Sequence, residues 1–194
     1  HQSNATGSNN HRFDHGVASG DPDIESVVLW TRVTTSEPQV TVSWEVAESE
    51  SFSVIVASGK VSTNRYRDHT VKVIPEHLRP GTRYFYRFRC GDTESVVGRT
   101  RTLPVGAVNK LGIALASCSN FAFGYFNGYQ AIADDPAVDF VVHTGDYIYE
   151  YGADGWGAEV ARSLGRVHQP RHETVTLEDY RMRHAQYKTD SGSL

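Results

Sequence analysis

The hydrophobic pattern changes its period once along the chain, around Pro104-Val105-Gly106, and no single sheet type accommodates both sides of that break. Before it, apolar and polar residues alternate. Val40, Val42, Trp44 and Val46 interleave with Thr41, Ser43 and Glu45; Tyr84, Tyr86 and Phe88 interleave with Arg83, Phe85, Arg87 and Arg89. Successive side chains of a strand point to opposite faces, so each segment predicts a strand with one buried face. Further strands are predicted over 26–33, 54–57, 70–74 and 96–101, between turn signals at Asp21-Pro22, Glu37-Pro38, Pro80-Gly81 and Cys90-Gly91-Asp92. The supply of β-branched residues suits this, with 22 Val against 8 Leu and 6 Ile. Six or seven short strands within residues 13–104 predict an antiparallel β-sandwich.

After Gly106 the apolar residues come in runs. Residues 111–116 read as a strand buried on both faces of a parallel sheet, ending in Ser117-Cys118-Ser119-Asn120. A helix is predicted over 125–134 despite Gly128, and a second buried strand over 140–143 ends in Thr144-Gly145-Asp146. That is a βαβ unit with an expected right-handed crossover. Gly152, Gly155 and Gly157 predict an irregular loop. Thr176 reads as the cap of a last helix, with Asp179 near its positive end and Tyr180, His184 and Tyr187 on one face. The charges from Arg181 to Lys188 read as that helix's solvated face. Residues 1–12 are expected to be a disordered lead-in, and 105–194 a second, incomplete domain.

Several function classes fall away on charge and hydropathy. Nineteen Lys and Arg against 23 Asp and Glu leave a net charge of −4, with no support for a nucleic-acid-binding surface. No apolar run approaches the roughly 20 residues of a transmembrane helix. Cys90 and Cys118 suit either a disulfide or two free thiols.

Ligands of open parallel sheets bind beyond the carboxyl ends of the strands. Two clusters fall there: Ser117 to Asn120, and Asp146 to Glu150. If the strands are neighbours, Cys118 and Asp146 share one crevice with the phenols Tyr147 and Tyr149, a donor set of both hard and soft character. Asn120 is either a turn residue or a substrate or metal contact. Arg162 and Arg166 are candidate substrate-binding residues through forked hydrogen bonds to phosphate. His143 reads as a core histidine, and His168 and His172 as solvated loop residues.

Four segments carry a resemblance. Phe13 to Asp21 (FDHGVASGD), Ala116 to Asn120 (ASCSN), Thr144 to Tyr151 (TGDYIYEY) and Leu177 to Asp190 (LEDYRMRHAQYKTD) resemble PhoD-type alkaline phosphatases, a group of the calcineurin-like metallophosphoesterases. Leu78 to Tyr84 also resembles the tyrosine corner of fibronectin type III domains. The implied fold is a fibronectin III- or Ig-like β-sandwich, followed by the N-terminal βαβ part of an α/β metallophosphoesterase domain. The resemblance implies that Cys118, Asp146 and Tyr149 ligate ferric iron (Fe3+), with Asp146 bridging to calcium (Ca2+). No side chain is assigned as nucleophile; a hydroxide held on the metal ions is implied instead. Later ligands of that family have no counterpart in this sequence, so a missing or separate C-terminal chain is expected, with residues 191–193 as an exposed cleavage point. The implied reaction is hydrolysis of phosphate mono- and diesters, in an exported protein whose leader has been removed. Two alternatives remain: a phospholipase D-like phosphodiesterase of the same family, and a secreted β-sandwich binding module without catalysis.

Overall fold

The structure, a computed structural model, describes residues 11–190. The expected lead-in therefore lies outside the described residues up to Asn10, as does the expected cleavage point at 191–193. At residues 11 and 12 the expectation of disorder is corrected. Arg12 and Thr34 exchange backbone hydrogen bonds of 3.0 and 2.8 Å, and buried His11 pairs with the Thr35 hydroxyl. The chain divides into two compact units, His1–Gly106 and Ala107–Leu194.

The first unit is a β-sandwich. One sheet runs β1 (Val17–Gly20), β2 (Val28–Arg32), β5 (Thr70–Val73), all antiparallel. The other runs β4 (Ile55–Asn64), β3 (Gln39–Ala47), β6 (Arg83–Cys90), with β7 (Thr93–Glu94) and β8 (Gly98–Arg101) both pairing with β6. The alternation is what builds the core. Val40, Val42, Val46, Tyr84, Tyr86 and Phe88 from one sheet pack with Val27, Leu29 and Val71 from the other side. Three strands, β1, β4 and the two-residue β7, are not legible in full from the sequence. β1 has small residues and two nearby glycines instead of an alternating pattern. β4 continues past Ser58-Gly59 to Asn64, because Gly59 lies opposite Trp44 and leaves room for its ring. A Cβ on Gly59 would sit 2.7 Å from the indole.

The tyrosine corner is present. The Tyr84 hydroxyl accepts the Arg79 N–H at 2.8 Å, tying the link between β5 in one sheet and β6 in the other. Tyr84→Phe should destabilise this unit by about 1–2 kcal/mol, because it strips a part-buried N–H of its partner while keeping the ring. Chemical denaturation followed by Trp fluorescence would measure it; a change within error would show that water replaces the hydroxyl.

In the second unit β9 (Ile113–Ala116) and β10 (Phe140–His143) pair in parallel, joined through α1 (Asn127–Asp134). Phe121, Phe126, Tyr129 and Tyr187 form its buried cluster, with Ala116, Ile132 and Ile148 against it. Within this chain the expected burial of both strand faces is met on one face only. Ile113, Leu115, Phe140 and Val142 are 55, 71, 39 and 39 % exposed, so among the described residues only the alternate face is packed. The glycine-rich loop through Gly152, Gly155 and Gly157 is irregular as expected, and a helix that the sequence reading passes over, α2 (Ala158–Leu164), follows it directly. Gly157 and Gly165, both left-handed, bracket a good helix-forming AEVARSL stretch, and the Gly165 N–H closes on the carbonyls of Ala161 and Arg162. The last helix, α3 (Leu177–Tyr187), starts as expected with Thr176 and Asp179 in a reciprocal capping box. Its charges are not all solvated, since Arg183 is wholly buried.

Candidate metal centre

The parallel register sets His143 opposite Ala116, so the loops leaving β9 and β10 emerge side by side. Backbone bonds extend the pairing past the strand ends. The Thr144 N–H donates to the Ala116 carbonyl, the Cys118 N–H to Gly145, and the Ser119 N–H to Asp146, at 2.9, 3.2 and 3.0 Å. His143 Nδ1 accepts the Gly145 N–H at 3.3 Å, which leaves Nε2 protonated and donating to the Tyr129 hydroxyl at 2.8 Å. His143 is thus satisfied by its neighbours, and it steadies the residue before Asp146.

At the tips of both loops the backbone turns left-handed, with φ of 58° at Cys118 and 52° at Asp146. Non-glycine residues rarely hold this conformation, and it gathers at sites where side-chain placement matters. The result is convergence on one oxygen. Asp146 Oδ2 accepts from the Tyr149 hydroxyl at 3.1 Å and from the Cys118 thiol at 3.8 Å. Desolvation, then the bonds to Asp146 and Cys118, push the Tyr149 phenol well above its usual range, so without a cation the proton stays on.

That arrangement fits a cation. Two acidic protons point at one carboxylate, and exchanging them for a metal ion would leave three anionic donors around it. Among the described residues no three His, Cys, Asp or Glu cluster for a metal; here the third donor is a phenol. Asn120 adds a further polar group beside Cys118. Its carbonyl oxygen caps the single turn Phe121–Phe123 by accepting the Ala122 N–H, while its buried Nδ2 has no partner among the described residues.

The two candidate arginines each have a carboxylate partner within the chain. Arg162 faces Asp154 at 3.5 Å. Arg166 is buried, pairs with Asp190 at 2.7 Å, donates to the Phe121 carbonyl and lies over the Phe121 and Tyr125 rings. His172 pairs with Asp179, and His168 is buried instead of solvated. Sequence reasoning passes over an aromatic group beside Tyr149. Trp156 lies 4.6 to 6.0 Å from the rings of Phe123, Tyr149 and Tyr151, centroid to centroid. Both cysteines are free thiols, Cys90 buried and Cys118 exposed.

A family model described as "PhoD-like phosphatase, N-terminal domain" matches residues 1–104, and one described as "PhoD-like phosphatase" matches residues 113–193. The chain belongs to the PhoD-like phosphatase family. Alkaline phosphatase D of Bacillus subtilis (strain 168) is 41 % identical over 189 residues, covering 92 % of this chain and 32 % of that relative. A solved PhoD structure superposes with a TM-score of 0.85 at 40 % identity, covering 93 % of this chain and 36 % of that one. This PhoD-like chain therefore spans about a third of the length of those relatives. No helix among its described residues is long and apolar enough to cross a membrane.

Burial, reinforced by the Arg183 charge, pulls His168 down from 6.5 to about 4. The unfolded chain then binds more protons than the folded one between those values, so this stability is complete above pH 6.5 and is lost as pH falls towards 4. The second unit should lose up to about 3 kcal/mol over that window. The drop in unfolding midpoint should shrink in His168→Gln; an unchanged drop would assign it to other groups. Asp179 acts lower, since the Thr176 and Val175 N–H groups hold its carboxyl far below the usual range.

Proposed function

We propose that the PhoD-like protein to which this chain contributes hydrolyses phosphate mono- and diesters with ferric iron and calcium, held in part by Cys118, Asp146 and Tyr149. One observation carries the reading: the thiol and the phenol both aim their protons at Asp146 Oδ2. Cys118 and Tyr149 would bind as thiolate and phenolate, anionic donors whose pKa a highly charged ferric ion lowers, and Asp146 has a second carboxylate oxygen to share with an oxygen-binding cation such as calcium. Bound there, the ions would neutralise charge on the non-bridging phosphate oxygens and lower the pKa of water. The chain's own part is to hold those donors on two adjacent strand ends, with the Asp146 carboxylate between the thiol and the phenol. Asn120 Nδ2 is the candidate hydrogen-bond donor to a phosphate oxygen. The remaining metal donors belong to the two-thirds of the relatives' length that this chain does not span. Export after cofactor loading completes the proposal.

Full-length protein should contain iron and calcium by elemental analysis and absorb visible light through the Tyr149 phenolate. Tyr149→Phe should remove the colour and most of the activity. An iron-free preparation whose activity survives Tyr149→Phe would sink the assignment and favour a different metal, whereas a preparation with neither metal nor activity would favour the binding module. Comparing p-nitrophenyl phosphate, bis(p-nitrophenyl) phosphate and phosphatidylcholine vesicles separates monoesterase, diesterase and phospholipase-type activity.

A further inference from the structure

Tyr149 is gripped through its backbone on both sides, and α3 does the gripping. Its N–H donates to the Tyr187 hydroxyl at 3.2 Å, and its carbonyl accepts from the Arg183 guanidinium. Arg183 spends its other donors on the Gln169 carbonyl at 2.9 Å and the Pro170 carbonyl at 3.1 Å. The Tyr187 hydroxyl lies 3.2 Å from His168 Nε2, while His168 Nδ1 lies 3.1 Å from the Tyr151 carbonyl. A carbonyl only accepts, so Nδ1 carries the proton and Nε2 is an acceptor. Tyr187 therefore donates to His168 and accepts from Tyr149, and each group in the chain has one role. Arg183 and Tyr187 are four residues apart, so one helix face presents both.

We propose that Arg183 and Tyr187 are positioning residues that hold the Tyr149 phenol in place for metal ligation. The proposal rests on the reading of Tyr149 as a ferric ligand. A buried guanidinium is costly to desolvate, and an apolar side chain could fill the same space. The charged group becomes useful where loop carbonyls must be kept in one arrangement. Here it joins the peptide after Tyr149 to the 169–170 segment, while Tyr187 fixes the peptide before it. With both flanking peptides set, the Tyr149 ring leaves a Cα that cannot drift, three residues beyond Asp146. Groups that orient a ligand from behind commonly govern metal affinity by about 10–100-fold.

The test uses full-length, metal-loaded protein and reads the phenolate-to-iron absorption band, the rate of iron loss to a chelator, and the thermal midpoint. Tyr187→Phe keeps the ring and removes one hydroxyl. It should shift or broaden the band and speed iron loss roughly tenfold or more. Arg183→Lys should act in the same direction; should it fail to fold, Tyr187→Phe decides alone. Asp190→Asn weakens the Arg166 pair without touching the grip on Tyr149, so it should lower the midpoint and leave the band and the iron-loss rate unchanged. A coloured wild type whose band and iron loss are unaltered in Tyr187→Phe overturns the positioning role alone. That role also falls if Asp190→Asn moves the band and the iron loss as far as Tyr187→Phe does. A colourless, iron-free wild type overturns the ferric reading and this proposal with it.

Discussion

Asp146→Asn in the full-length protein is expected to lower kcat/KM for p-nitrophenyl phosphate by about 10^3-fold, or roughly 4 kcal/mol of transition-state stabilisation. The choice of Asn isolates charge from shape. Asp146 sits at φ 52°, where Asn is among the few side chains that rest without added strain, so the loop backbone should survive. What changes is the oxygen on which the Cys118 thiol and the Tyr149 phenol converge. An amide offers one neutral oxygen and one donor there. It cannot bridge two cations, and its NH2 end would face two other donors. Far-ultraviolet circular dichroism should match the wild type while bound iron and calcium fall. A loss of activity smaller than tenfold would mean that Asp146 is not the hub of the centre.

How much of this is legible before folding depends on how local each cause is. Alternation at Val40 to Val46 and Tyr84 to Phe88 predicts both strands and their buried faces, because a strand's faces follow from backbone geometry alone. Thr176 and Asp179 predict their capping box for the same reason: the partners are three residues apart. Cys118 and Asp146 meet because a parallel pair carries both loops to one end, which the paired apolar runs foretell. The left-handed backbone at each tip leaves no mark in composition. Tyr149 alone reads as a packing aromatic, and it is raised by its spacing from Asp146 together with the family resemblance. Arg183 reads wrongly as solvated because its carbonyl partners at Tyr149, Gln169 and Pro170 are 34, 14 and 13 residues away. The burial of Arg166 against Asp190, 24 residues on, goes unread for a like reason. Burial of a charge is a tertiary fact, and helix spacing places Arg183 equally well in water.

The structural variant with the largest expected cost is Gly112→Ala, immediately before β9. A Cβ built there falls 1.7 Å from the Ala137 carbonyl oxygen and 2.8 Å from its carbon. Both are backbone atoms, so no rotamer change relieves the clash and one segment must retreat. The same glycine makes three hydrogen bonds that any retreat would break. Its carbonyl accepts from the Asp139 and Phe140 N–H groups at 2.8 and 3.3 Å, and its N–H donates to Asp139 Oδ2 at 2.9 Å. Overpacking and three lost bonds together should cost about 3–5 kcal/mol, enough to loosen the β9–β10 pair. Hydrogen exchange should show lost protection at Ala114 to Ala116 and at Val141 to His143, and metal retention should fall because both donor loops hang on those strands. Gly128→Ala provides the opposite case. That glycine lies exposed in α1 with nothing within 4 Å of its Cβ position, so the same added methyl should stabilise by about 0.5 kcal/mol. If both variants shifted the unfolding midpoint alike, the close approach at Gly112 would not be what closes the parallel pair.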